Sequence, residues 1–123
     1  MNKPELFDII VVEDDTDLGA MIQILLERMK YTVKRFEHPD KFLAFIENND
    51  TRLIIMDMLL SGGNGCELCE ALKKNPNKKH IKIIMISAHP DARKSCFEAG
   101  TDAFIEKPFD IGFFMQQVKT HAA

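Results

Sequence analysis

The chain alternates five times between a short apolar run and a longer segment whose apolar residues recur at helical spacing. The short runs are rich in Ile and Val and predict buried β-strands. These strands are expected at residues 7–12, 32–36, 53–57, 83–87 and 103–106. The intervening segments predict helices over about 16–30, from 39 past 46, around 68–72, over about 91–99 and around 111–118. Because parallel strands need helical crossovers, the pattern predicts an α/β fold with a doubly wound, five-stranded parallel sheet.

Local signals place the ends and the buried sides of these helices. Thr16 is predicted to cap the first helix, with Asp15 and Asp17 as solvated acids near its start. Gly100 is predicted to end the short fourth helix. The core side of the last helix is expected to carry four apolar residues, Ile111, Phe114, Met115 and Val118.

Composition limits the classes of protein to which the chain can belong. Its 123 residues suit one domain, expected to span 1–123 with a core over about 6–121. The net charge is −3 and the basic residues are scattered, which disfavours direct nucleic-acid binding. Three cysteines cannot all pair within one chain, and the sequence shows neither a secretory leader nor a long apolar run. We therefore expect a cytoplasmic protein that does not insert into membranes.

Polar residues follow four of the predicted strands. Glu13 and Asp14 follow the first, Asp57 ends the third, Ser87 ends the fourth, and Lys107 follows the fifth. Ligands of open α/β sheets bind at the carboxyl ends of the strands, so we expect these side chains to meet there. Clustered carboxylates favour a hard cation such as Mg²⁺, and a carboxylate can also act as a nucleophile toward phosphorus.

Five motifs, in this order, resemble those of the receiver domains of two-component response regulators, the family that includes chemotaxis-type single-domain regulators. The resemblance covers about residues 6–121 and implies the flavodoxin-like (βα)5 fold. The motifs are VVEDD at 11–15, IMD at 55–57 with Gly65 following, IMISA at 84–88, EAGTD at 98–102 and KPF at 107–109.

The resemblance also implies roles for the residues at the strand ends. Asp57 corresponds to the phosphoacceptor, which takes a phosphoryl group from a histidine kinase or a histidine phosphotransfer protein. Asp14 corresponds to a direct Mg²⁺ ligand and Glu13 to a ligand through water, with Asp57 and the backbone carbonyl of Leu59 completing the metal site. Lys107 is expected to pair with the phosphoryl group.

A second set of residues corresponds to the family's switch and partner face. Ser87 is expected to donate a hydrogen bond to the phosphoryl group, and Phe104 corresponds to the aromatic ring that then moves inward. Phe97 and Phe113 lie off the apolar stripes of their helices, so we expect them to be partly exposed and to flank Phe104 on a face for an unidentified downstream effector.

The sequence departs from the family pattern at three places. Ser61 stands where most receivers carry proline, which predicts a less rigid loop. Phe104 stands where Tyr is commoner and so lacks a hydroxyl group. The segment 87–100 is about two residues shorter than in most receivers, which predicts a short, mobile fourth helix.

Several other interpretations stay open at this point. Cys66 and Cys69 form a C-x-x-C pattern, but structural cysteines are the better interpretation because Cys69 lies on an apolar stripe. His89 either borders the site or is a solvated loop residue. An aspartyl-phosphate hydrolase is disfavoured because Leu59 stands where such enzymes need an acid. A phosphorylation-independent interaction module is the remaining alternative.

Overall fold

A parallel five-stranded sheet organises the computed structural model, which describes residues 5–123. The strands, numbered along the chain, are β1 (Leu6–Val12), β2 (Val33–Phe36), β3 (Asp50–Asp57), β4 (Lys82–Ser87) and β5 (Ala103–Glu106). Their order across the sheet is β2-β1-β3-β4-β5, and every neighbouring pair is parallel. This is the flavodoxin-like order, and the predicted fold class is confirmed.

Helices cover both faces of the sheet and create two apolar layers. The helices are α1 (Thr16–Arg28), α2 (Pro39–Ile46), α3 (Gly65–Lys74), α4 (Arg93–Glu98) and α5 (Ile111–His121). Phe42, Cys69 and Cys96 bring α2, α3 and α4 onto one layer, whereas Ile22 and Phe114 bring α1 and α5 onto the other. Within residues 5–123, no helix has both the length and the apolar character needed to cross a membrane.

The register of the strands brings their carboxyl ends to one edge of the sheet. Val12 pairs with Met56, Asp57 pairs with Ile86, and Ser87 pairs with Glu106. The central strands are apolar at almost every position because both of their faces are covered. The residues that follow these paired ends are therefore held at neighbouring points of a rigid frame.

The start of α1 differs from the sequence prediction. Asp15, not Thr16, is the N-cap, because its carboxylate accepts a hydrogen bond from the backbone N–H of Leu18 at 3.0 Å. The Thr16 hydroxyl instead donates to Glu37 at 3.2 Å. Asp and Thr are both good N-cap residues, so the residue at which the first turn of α1 begins determines which of them is the cap.

The segment after β3 was predicted as a loop and contains a tight hairpin. Leu59–Leu60 pairs antiparallel with Gly63–Asn64, and α3 begins at the next residue. The Asn64 side chain caps α3 by accepting from the backbone N–H of Cys66 at 2.8 Å. This hairpin lies directly beyond the strand end that carries Asp57.

The helical segment after β4 is short, as predicted. A 3₁₀ turn at Pro90–Ala92 leads into α4, which has only six residues. Gly100 follows with a φ of +103°, a left-handed conformation that glycine adopts without strain, so its predicted role at the helix end is confirmed. The mobility expected for this segment stays a prediction.

The prediction of which residues of α5 face the core is confirmed for the middle of the helix and is wrong for its first residue. Phe114 and Val118 are buried and Met115 is half-buried, but Ile111 is half-exposed. Ile111 is the first residue of the helix, where the chain has not yet turned toward the sheet. Its exposed side chain lines a groove between α1 and the segment that leads into α5.

Adjacent phenylalanines on α5 test the orientation of this helix. Phe114 is fully buried, so Phe114→Ala is expected to lower the free energy of unfolding by about 3–5 kcal/mol. Phe113 is 46% exposed, so the matched control Phe113→Ala is expected to cost less than about 1 kcal/mol. Urea denaturation measures both, and equal losses in the two variants would contradict the orientation.

Candidate functional site

Five polar side chains meet where the central strands end. Glu13 and Asp14 follow β1, Asp57 ends β3, Ser87 ends β4 and Lys107 follows β5. The sheet order reverses between β1 and β3, so the acids lie at the topological switch point where open α/β sheets bind ligands. The structure thus brings together the residues predicted from the strand ends.

The ammonium group of Lys107 bridges two carboxylates. Its Nζ lies 2.6 Å from Oδ2 of Asp57 and 3.0 Å from Oε1 of Glu13. Glu13 is 2% exposed and Asp57 is 8% exposed, so both charges would be costly without a partner. The backbone N–H of Lys107 donates to the carbonyl of Ser87 at 2.8 Å, which fixes the start of the lysine side chain.

One lysine does not fully compensate two buried acids. Burial, together with the hydrogen bond and repulsion from Asp57, raises the pKa of Glu13 from 4.5 to about 7 in spite of Lys107. Burial opposes the charge of Lys107 too, but its hydrogen bonds to Asp57 and Glu13 outweigh this effect and raise the pKa of the lysine. A further positive charge would therefore stabilise the ionised form of Glu13.

The three acids can offer oxygen ligands to one cation. Oxygens of Glu13, Asp14 and Asp57 all lie within 4.8 Å of one another. Carboxylate oxygens are hard ligands, and Mg²⁺ commonly binds through one or two carboxylates while it keeps several waters. Asp14 is only half-buried, which leaves room for such waters. The donor set thus fits the magnesium that the sequence predicts.

Ser61 orients Asp14, a contact that the sequence analysis missed. The hydroxyl and the backbone N–H of Ser61 donate to Oδ2 of Asp14 at 3.0 and 3.2 Å. Burial alone would raise the pKa of Asp14, but these hydrogen bonds outweigh it and hold the pKa below its usual value. The Ser61 hydrogen bonds thus favour the ionised form of Asp14. No sequence signal marks this contact, because Ser61 and Asp14 are 47 positions apart in the chain.

The backbone around Asp57 is tightly constrained. The Leu59 N–H donates to Oδ1 of Asp57 at 3.0 Å, and the role of the Leu59 carbonyl as a metal ligand stays a prediction. Gly65 packs against this turn so closely that a Cβ there would lie 2.5 Å from the Asp57 carbonyl oxygen and 2.8 Å from Sδ of Met85. The hydrogen bond from Leu59 limits movement of the Asp57 carboxylate, and the close packing of Gly65 limits movement of the Asp57 backbone.

Ser87 and Phe104, the two residues predicted to form a switch, are both buried. Oγ of Ser87 accepts a hydrogen bond from the backbone N–H of His89 at 2.9 Å, while the His89 side chain is exposed. The Phe104 ring is buried. The guanidinium of Arg93 lies 5.9 Å from the centre of this ring and 5.1 Å from that of Phe97. Arg93 thus connects the buried ring to the surface of α4.

Phe97 and Phe113 are partly exposed, as predicted, at 39% and 46%.

The three cysteines are free thiols. Cys69 and Cys96 are fully buried, and burial raises the pKa of both thiols, that of Cys96 to about 12. Such thiols carry little thiolate at neutral pH, which supports a structural role.

Magnesium is expected to stabilise the folded chain because it relieves repulsion among acids that meet only after folding. At ten times its dissociation constant, the ion adds about 1.4 kcal/mol to the free energy of unfolding. That corresponds to a rise in Tm of roughly 5 °C for a domain of this size. Thermal unfolding followed by circular dichroism, with and without millimolar Mg²⁺, measures the shift.

Asp14→Asn is expected to remove most of this shift. The matched control is Asp15→Asn, which keeps a good N-cap residue outside the acid cluster and is expected to keep the shift. An equal magnesium response in all three proteins would contradict the assignment of the metal site.

Comparisons with known proteins match most of the chain to response regulators. The family model described as the response regulator receiver domain matches residues 9–119. Heme response regulator HssR of Staphylococcus epidermidis is 32% identical over 117 residues, which cover 93% of this chain and 50% of that protein. Response regulator RppA of Synechocystis sp. is 35% identical over 113 residues, which cover 90% and 48%.

A solved structure agrees with these sequence matches. The non-phosphorylated HemR receiver domain from Leptospira biflexa is similar with a TM-score of 0.83 and 29% identity, and the match covers 98% of this chain and 95% of that one. The chain spans about half the length of the curated relatives it matches. With a family model that matches most of its length, the chain belongs to the response regulator receiver domain family.

Proposed function

We propose that the chain is a phosphorylation-activated signalling switch that accepts a phosphoryl group on Asp57. The observation that carries this proposal is the position of Asp57, whose carboxylate contacts the Lys107 ammonium and lies beside the acid pair at the carboxyl ends of the strands. Membership of the receiver family supports it. We propose a histidine kinase or a histidine phosphotransfer protein as the phosphodonor, and a cytoplasmic location for both.

The residues around Asp57 suit phosphoryl transfer. A carboxylate oxygen of Asp57 forms the bond to phosphorus while the bond from phosphorus to the donor's histidine nitrogen breaks, and the electron pair leaves with the imidazole. Lys107, already 2.6 Å from Oδ2, is placed to pair with a phosphoryl oxygen. Mg²⁺, held by Asp14, Asp57, the Leu59 carbonyl and, through water, Glu13, would supply further positive charge.

The arrangement of Ser87 and Phe104 supports a conformational response. The Ser87 hydroxyl is hydrogen-bonded to the backbone of His89, and a phosphoryl oxygen on Asp57 would offer it a charged acceptor instead. Movement of this serine alters the start of the segment that leads to α4. We propose that the buried Phe104 ring then shifts, and that a face carrying the exposed Phe97 and Phe113 changes its affinity for a downstream protein.

Incubation with acetyl phosphate and Mg²⁺ tests the phosphoacceptor. Intact mass spectrometry is expected to show a gain of one phosphoryl group in the wild type and in Asp15→Asn, and no gain in Asp57→Asn. Chelation of Mg²⁺ is expected to slow the labelling strongly. A gain that persists in Asp57→Asn would remove Asp57 from this role.

The Ser87 hydroxyl is expected to transmit phosphorylation of Asp57 into a conformational change of α4. Ser87→Ala is expected to keep the mass gain but to lose more than half of the change in amide hydrogen exchange that phosphorylation causes over residues 93–106. The control Ser95→Ala removes an exposed hydroxyl whose hydrogen bond, to Ala92, stays within the α4 region, and it is expected to keep that change. An undiminished response in Ser87→Ala would contradict the switch role.

Two other functions make different predictions. A phosphorylation-independent interaction module would bind its partner equally well as wild type and as Asp57→Asn. An aspartyl-phosphate hydrolase would turn over a phosphate ester many times, yet Leu59 provides no acid near Asp57 to protonate the leaving group. We propose that the chain catalyses only its own phosphorylation and dephosphorylation, and that its effector is a protein contacted without direct binding to nucleic acid or membrane.

A further inference from the structure

Three cysteines lie where α3 and α4 cover the same face of the sheet. Cys66 and Cys69 belong to the first turns of α3, and Cys96 belongs to α4. Cys69 and Cys96 are part of one buried apolar cluster, and Cys66, which is half-buried, packs against that cluster. The proposed phosphoryl transfer involves none of these thiols, so a second chemistry is available on this face.

The direction of the two helices places Cys66 opposite Cys96. Each helix connects one parallel strand to the next, so α3 and α4 run in the same direction within one layer. The Cys69 thiol donates to the carbonyl oxygen of Ala99, the C-cap of α4, at 3.7 Å. Cys66 lies about one turn before Cys69, and Cys96 lies about one turn before Ala99. The two side chains are therefore at the same level of neighbouring helices.

The surroundings of the three thiols also pair Cys66 with Cys96. Burial and, after it, the interaction with the Cys66 thiol raise the pKa of Cys96 to about 12. Cys69 has another partner, because its sulfur lies 3.5 Å from the hydroxyl oxygen of Thr101. Among the three, Cys66 alone is not fully buried. An oxidant dissolved in water therefore meets Cys66 first, with Cys96 as the neighbouring thiol.

We propose that Cys66 and Cys96 form a reversible disulfide in response to peroxides. The Cys66 sulfur attacks one oxygen of hydrogen peroxide, the O–O bond breaks, and a sulfenic acid and one water molecule form. The Cys96 sulfur then bonds to the Cys66 sulfur, the S–O bond breaks, and the hydroxyl group leaves with the Cys96 proton as a second water molecule. Two thiols thus give two electrons to one peroxide, and a dithiol reductant reverses the reaction.

The bond joins the segment beside the phosphoacceptor to the helix that responds to phosphorylation. Gly65, next to Cys66, packs against the backbone of Asp57, and Phe97, next to Cys96, lies on α4. A covalent link between α3 and α4 fixes α4 relative to the acceptor strand. This regulatory consequence rests on the proposed function of Asp57, whereas formation of the bond does not. Disulfides of reducing compartments are usually transient and redox-sensing, which suits such a role.

Oxidation with a small excess of hydrogen peroxide tests the pair. The intact mass is expected to fall by the mass of two hydrogen atoms, and peptide mapping without reduction is expected to join Cys66 to Cys96. Dithiothreitol is expected to reverse both results. Cys96→Ala is expected to lose the cross-link and to gain oxygen on Cys66, whereas the matched control Cys69→Ala is expected to keep the cross-link. Peptide mapping of the wild type identifies the pair even if a variant fails to fold.

The consequence of the bond is measured by amide hydrogen exchange after treatment with acetyl phosphate and Mg²⁺. The oxidised chain is expected to gain a phosphoryl group but to lose more than half of the change that phosphorylation causes over residues 93–106. Peroxide-treated Cys66→Ala is expected to keep that change. An equal response in the oxidised and the reduced wild type would overturn the regulatory consequence.

Other results would overturn the pair itself. A bond between Cys66 and Cys69, a bond between two chains on a non-reducing gel, or a gain of oxygen without any cross-link in the wild type would each do so. The cross-link is also measured in Asp57→Asn, where it is expected to form as in the wild type. A reduced wild type that gains no phosphoryl group would therefore count against the proposed function of Asp57 and not against the disulfide.

Discussion

Two buried carboxylates share one ammonium group at the end of the sheet, and the site depends on this arrangement. Glu13 and Asp57 come from strands that are neighbours, so their charges are close before any ligand arrives. Burial and the proximity of Asp57 raise the pKa of Glu13, and Lys107 offsets these effects only in part. With Asp14, the three ionised acids exceed the single ammonium by two charges, which suits a divalent cation and, with that cation bound, a phosphoryl group. The same imbalance therefore accounts for both proposed ligands.

The parts of the fold that follow from local rules could be predicted from the sequence. The central parallel strands are apolar along most of their length because both faces are covered, so they were recognisable, whereas the strand order was implied only by the resemblance to receiver domains. The acids, Ser87 and Lys107 could be placed because they directly follow strands whose ends meet at one edge. Their spacing along the chain was then enough to predict which side chains converge.

The features that could not be predicted depend on contacts between distant segments. Ser61 holds Asp14 across 47 positions of the chain, and a donor of this kind looks in sequence like any loop serine. The choice between Asp15 and Thr16 as the cap of α1 depends on where the chain leaves β1. Ile111 was assigned to the core because its spacing fits the helix, yet the first turn of α5 lies beside the groove rather than on the sheet.

The close packing of Gly65 also has a consequence for how this chain tolerates change. Because a single methyl group at this position would press on the peptide of Asp57, every other amino acid would displace the backbone that carries the acceptor carboxylate. Residue 65 is itself buried, yet it constrains the backbone on which the acceptor carboxylate depends. Substitutions at residue 65 are thus limited by steric fit to the acceptor strand rather than by helix propensity, and a chain with a side chain there would keep its fold more easily than its chemistry.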